Sequence, residues 1–110
     1  MTTYPAHVVA AWRESIAKWR RNAEAKTPEE YTTRWMNCPL CLIFLEGGIG
    51  QCQGCPVSMK TGRPHCDGTP YRAAHNARAY WQIEKEGGNA ARAAATVMAD
   101  WLEALDVEEN

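Results

Sequence analysis

Four cysteines fall as two C-x₂-C pairs, Cys38-Pro39-Leu40-Cys41 and Cys52-Gln53-Gly54-Cys55, with ten residues between them. Nothing else in the chain restricts folding so strongly. Two intervening residues let both thiolates of a pair point at one ion. A hairpin between the pairs brings them together, and four thiolates satisfy a tetrahedral Zn²⁺ at ~2.3 Å. The surrounding segment, residues 37–68, holds six of the eight glycines and no helical period. Leu42 to Leu45 read as a short strand, Glu46-Gly47-Gly48 as a turn and Ile49 to Gln51 as a weak return strand. Such a segment has little apolar area with which to order itself, so a metal would supply the missing constraint.

The fifth cysteine, Cys66, leaves alternatives open. It can replace a member of the four, add to them, stay a free thiol, or face competition from the adjacent His65, against the plainer reading of a small buried apolar residue. All five cysteines lie within 29 residues, and the flanks hold none. In a reducing compartment such clustering favours metal over disulfides, and an odd number leaves one thiol over in any disulfide scheme. Four thiolates also hold iron–sulfur clusters, which is the rival to zinc. The paired cysteines are similar to a zinc ribbon, to which the CPxC form of the first pair adds. Leu42 departs from that pattern, since ribbon knuckles often carry glycine at that place.

The flanks read as helical. Thr3 and Pro5 provide a helix start, and Val9, Trp12, Ile16 and Trp19 follow at spacings of three and four, which puts them on one face. Thr27-Pro28-Glu29-Glu30 is a second start signal, predicting a short helix with Tyr31 and Trp35 on one side that ends by Asn37. Thr69-Pro70 repeats that start, and Tyr71, Ala74, Arg78 and Trp81 keep helical spacing. Gly87-Gly88 marks a stop, and Asn89 is placed to cap a last helix whose apolar side runs through Ala94, Val97, Met98, Trp101, Leu102 and Leu105. Val107 to Asn110 reads as a frayed tail. The expected architecture is a single domain over 1–110, mainly α: helical over 1–36, metal-binding over 37–68 and helical over 69–107. N-terminal and C-terminal helix pairs would flank a small zinc-bound β-hairpin.

Charge and hydropathy narrow the function classes. The chain is net −1, and residues 99–110 alone carry five acids and no base, so the remainder carries +4. A sequence pI near 6.3 withholds the usual composition signature of a nucleic-acid binder, a domain pI above ~9. The longest clearly apolar run, Leu40 to Leu45, is six residues, far short of the ~20 a membrane span needs. No basic stretch followed by an apolar one opens the chain, so a secretory signal is not expected and the chain reads as cytoplasmic.

A closed Cys₄ sphere is structural rather than catalytic, because catalytic zinc keeps an open position and usually includes His or carboxylate ligands. The zinc-deaminase signature is missing, as are H-E-x-x-H, a Walker loop and G-x-S-x-G. His7, His65 and His75 are too scattered to build a nuclease of the His-Asn-His type. An enzyme is therefore not the expectation. Lys60, Arg63, Arg72, His75 and Arg78 follow the metal segment. Arg72, His75 and Arg78 recur every three residues, which aligns them on a helix. They make either an anion or nucleic-acid patch or an ordinary solvated face. The chain's ten aromatics, five of them Trp, read as core at this spacing, although Trp and Tyr are also enriched at interfaces.

The run Cys38-Pro39-Leu40-Cys41, then Cys52-Gln53-Gly54-Cys55-Pro56-Val57, then Thr61-Gly62 and Cys66-Asp67-Gly68-Thr69-Pro70-Tyr71 resembles small cysteine-rich proteins of bacteriophage genomes, a largely uncharacterised group. The likeness spans residues 38–71 and leaves out the outer helices. It implies a phage or prophage source, an accessory protein acting on host machinery in the host cytoplasm, and a place for Cys66 in the ligand set. It supplies no catalytic residue. The expected function is recognition of a macromolecule, with a host protein ahead of nucleic acid and a homo-oligomer compatible with helix pairs this short.

Overall fold

The computed structural model describes residues 2–33, 39–40, 55–62 and 68–110. The chain starts as a short strand, β1 (Thr2–Tyr4). Pro5, at φ −58 and ψ 155, turns it into helix α1 (Ala6–Asn22). Proline suits this position because its missing N–H would be unpaired at a helix start. Its carbonyl accepts the Val8 and Val9 amides at 3.0 and 3.2 Å. Arg20 and Arg21 in the last turn complement the negative end of the helix dipole.

The inward face of α1 runs through Val8, Val9, Ala11, Ser15, Lys18, Trp19 and Asn22. The predicted face is rotated: Val9 and Trp19 are buried, whereas Trp12 and Ile16 pack on the rim of the core. The reason lies in the facing helix, α4 (Gly88–Glu103), whose Ala91, Ala95 and Ala99 are fully buried. Small residues at a helix contact allow close approach of the two axes, and the buried face of α1 also carries small residues, Ala11 and Ser15. Ser15 Oγ satisfies itself on the Ala11 carbonyl at 2.9 Å. Trp12 Nε1 donates to the Leu102 carbonyl at 2.8 Å, so its ring lies across the α4 end while its polar edge is paired. On the surface Arg20 reaches Asp100 at 2.8 Å and Glu103 at 2.7 Å. These exposed pairs contribute little, and they raise the Arg20 pKa chiefly through the hydrogen bond to Asp100.

The helix expected after Thr27 is instead a single 3₁₀ turn, Pro28–Glu30, after which Tyr31 is extended at φ −97 and ψ 112. Side chains from other elements take the backbone groups a helix would have paired. Asn22 accepts the Thr32 amide at 3.0 Å through Oδ1 and donates to its carbonyl at 2.8 Å through Nδ2. Arg78 Nε donates to the Pro28 and Tyr31 carbonyls at 3.1 and 2.8 Å. Tyr31 itself is fully buried and donates to the Ala91 carbonyl at 2.8 Å. The part of that expected helix beyond residue 33, with Trp35, lies outside the described residues, as does the hairpin expected over 42–51.

Helix α2 (Pro56–Thr61) has proline in its first turn and left-handed Gly62 at φ 72 after its end, the usual asymmetry of helix punctuation. The sequence shows no helical period here, because six residues are too few for one to appear. Helix α3 (Tyr71–Glu84) begins at the expected Thr-Pro signal, with Thr69 Oγ1 accepting the Tyr71 amide at 3.1 Å. Its stop differs in detail from the expectation. Lys85 takes the left-handed conformation at φ 64, and Gly87, at φ 97, precedes α4 in the place expected for Asn89. A Cβ on Gly87 would sit 2.9 Å from the Tyr80 ring, so both its dihedral and its space call for glycine.

The expected frayed tail is a strand. β2 (Val107–Glu109) pairs parallel with β1, Thr2 opposite Val107, Thr3 opposite Glu108 and Tyr4 opposite Glu109. Tyr4 and Leu105 are buried, so the two ends of the chain are held together by the same apolar contacts that close the core. Behind them Trp19, Tyr31, Tyr71 and Trp81 meet edge to face, with centroids 6.1–6.4 Å apart, a favourable arrangement of ring quadrupoles. Among the described aromatic residues Tyr4, Trp19, Tyr31 and Trp81 are core, Trp12, Tyr71 and Trp101 pack against it, and Tyr80 is exposed. The described residues are mainly helical, with one small two-stranded sheet.

Candidate functional site

Cys55 is the one predicted metal ligand among the described residues. It is buried at the head of α2, extended at φ −64 and ψ 135, and its carbonyl accepts the Met59 amide at 2.8 Å. Pro56 and Val57, which follow it, are buried as well. This turn therefore docks the outgoing end of the cysteine-rich segment on the helical body. Burial, together with the nearby Cys55 and Asp106, raises the Tyr4 phenol above its ordinary pKa. Cys55 thus lies electrostatically close to the β1–β2 sheet, where the chain ends meet.

The incoming end is held just as firmly. Tyr31 to Thr33 run extended, Asn22 clamps Thr32, and Tyr71 Oη donates to the Thr33 carbonyl at 2.6 Å. His75 Nδ1 lies 3.2 Å from Thr33 Oγ1, and its ring stacks on Tyr71 at 5.9 Å. Residues 31–33 and 55–57, on either side of the cysteine-rich segment, are therefore fixed to the helical body, and Leu40 within it is buried in the core. Cys38, Cys41, Cys52 and Cys66 lie outside the described residues, as does His65. Among the described residues no three His, Cys, Asp or Glu side chains come together as a metal-binding group.

The basic residues divide. Arg78 is half-buried, with Nε on two carbonyls and Nη1 on Gln82 at 2.9 Å, so it braces the 28–31 turn instead of facing a ligand. His75 is tied to Thr33 and Tyr71 as described. Lys60 on α2 and Arg72 on α3 are exposed, and Arg63 lies outside the described residues. The three-residue spacing on α3 thus placed the side chains correctly on one helix but did not disclose which were already engaged.

Asn22 is the residue that sequence reasoning missed. Its signal was present: it follows Trp19 by three positions, which puts a polar amide on a buried helix face, where it must find partners. A groove lies between α2 and the corner joining α4 to β2, lined by Tyr4, Met59, Lys60, Leu105, Asp106 and Val107. Met59, Tyr80, Ile83 and Val97 are the exposed large apolar side chains among the described residues, Ile83 the most at 73%. Among the described residues no helix is long and apolar enough to cross a membrane. Comparison of the chain with family models, with curated proteins and with solved structures gives no match.

Proposed function

We propose that this chain is a zinc-stabilised accessory protein of phage type that binds a host protein in the host cytoplasm and modulates or inhibits it. The observation that carries the zinc is the paired C-x₂-C spacing, two thiolates on each side of a ten-residue connection. The burial of Cys55 at the head of α2 supports it, because a ligand fixed to the helical body gives the ion a rigid first anchor. In this reading Cys38, Cys41, Cys52 and Cys55 hold the ion, with Cys66 as substitute or extra ligand, and the ion's role is structural. An iron–sulfur cluster on the same thiolates is the alternative cofactor.

Recognition of a protein is favoured over nucleic acid by how the basic residues are used. Arg78 and His75 make hydrogen bonds within the molecule, and the α3 spacing therefore does not amount to a row of side chains given over to phosphate. Exposed Tyr80 and Ile83 on α3 provide the apolar contact that protein interfaces bury. The test is capture from bacterial extract on the immobilised zinc-loaded chain, with and without nuclease, at about 50 and about 500 mM salt. Phosphate binding falls steeply over such a range. A nuclease-resistant, salt-tolerant complex lost in Ile83→Asp supports the proposal. A complex abolished by nuclease or by salt, and by Arg72→Glu, would instead assign the chain to nucleic acid.

A further inference from the structure

We draw no further inference here: the strongest candidate, the groove between α2 and the corner joining α4 to β2 with Met59, Lys60 and Asp106 on its walls, carries nothing because nothing in the structure shows what covers it.

Discussion

Replacing Asn22 by alanine isolates the contact that fixes the path of the chain after α1. The Asn22 side chain is 1% exposed and makes two hydrogen bonds to one residue, accepting from the Thr32 amide at 3.0 Å and donating to its carbonyl at 2.8 Å. A buried hydrogen bond contributes about 1 kcal/mol net, and an orphaned partner adds about 1–3 kcal/mol. Thr32 is half-buried, so water can reach its backbone in part. The expected loss in Asn22→Ala is therefore about 2–4 kcal/mol. Urea unfolding followed by both tryptophan fluorescence and far-ultraviolet circular dichroism measures it, since Trp19 sits one turn away on the same buried face.

Asn22→Asp is the sharper variant. It keeps the acceptor for the Thr32 amide but turns the donor toward the Thr32 carbonyl into a second acceptor. Only the protonated carboxyl restores the lost bond, so folding raises its pKa above the ordinary ~3.9. The folded state then binds more protons than the unfolded state, and stability falls as pH rises. The deficit against wild type should be small below about pH 4 and grow as pH rises through the raised value. An Asn22→Ala loss below about 0.5 kcal/mol, the range of an ordinary surface substitution, would refute the reasoning. So would an Asn22→Asp deficit independent of pH.

Three further outcomes follow from the same geometry. Burial pushes the Tyr31 phenol up to about 12. In a spectrophotometric titration it should stay protonated beyond the ordinary phenol range near pH 10, and stability should be fully present below about pH 10 and lost as pH rises through about 12. Tyr31→Phe removes one buried hydrogen bond to a carbonyl within α4 and should cost about 1 kcal/mol in urea unfolding. Gly87→Ala meets both a positive φ and the Tyr80 ring at 2.9 Å, and should cost more than the ~1 kcal/mol of a left-handed alanine alone. A neutral Gly87→Ala in thermal unfolding would contradict the tight α3–α4 turn.

Much of the helical frame was legible from spacing and punctuation. The Thr69-Pro70 start and the break around Gly87 were visible as punctuation, whereas the expected apolar side of α4 was met only in part: Met98 and Leu102 are buried, Val97 is exposed, and Ala91, Ala95 and Ala99 form the rest of the buried face. What escaped was decided by contacts distant in sequence. Thr27-Pro28-Glu29-Glu30 carries every local mark of a helix start, yet Asn22 and Arg78 capture the backbone that follows. The pairing of Val107–Glu109 with Thr2–Tyr4 joins segments at opposite ends of the chain, which no local window reports. The role of Arg78 was hidden for a similar reason: its spacing fixed its helix face, whereas its partners lie on the 28–31 turn. Of the predicted ligands, Cys55 has a described position, and its burial could not be read from a C-x₂-C pair alone.

The central claim is that the paired cysteines hold one structural zinc ion, and metal content tests it most directly. Elemental analysis, an absorbance spectrum and thiol titration on anaerobically purified wild type and Cys55→Ser would be compared. The account predicts a colourless protein with one zinc per chain, thiols that become reactive on chelation, and reduced zinc retention in Cys55→Ser. Iron with visible absorbance would replace the structural reading with a redox one. A metal-free wild type with fully reactive thiols would contradict it altogether.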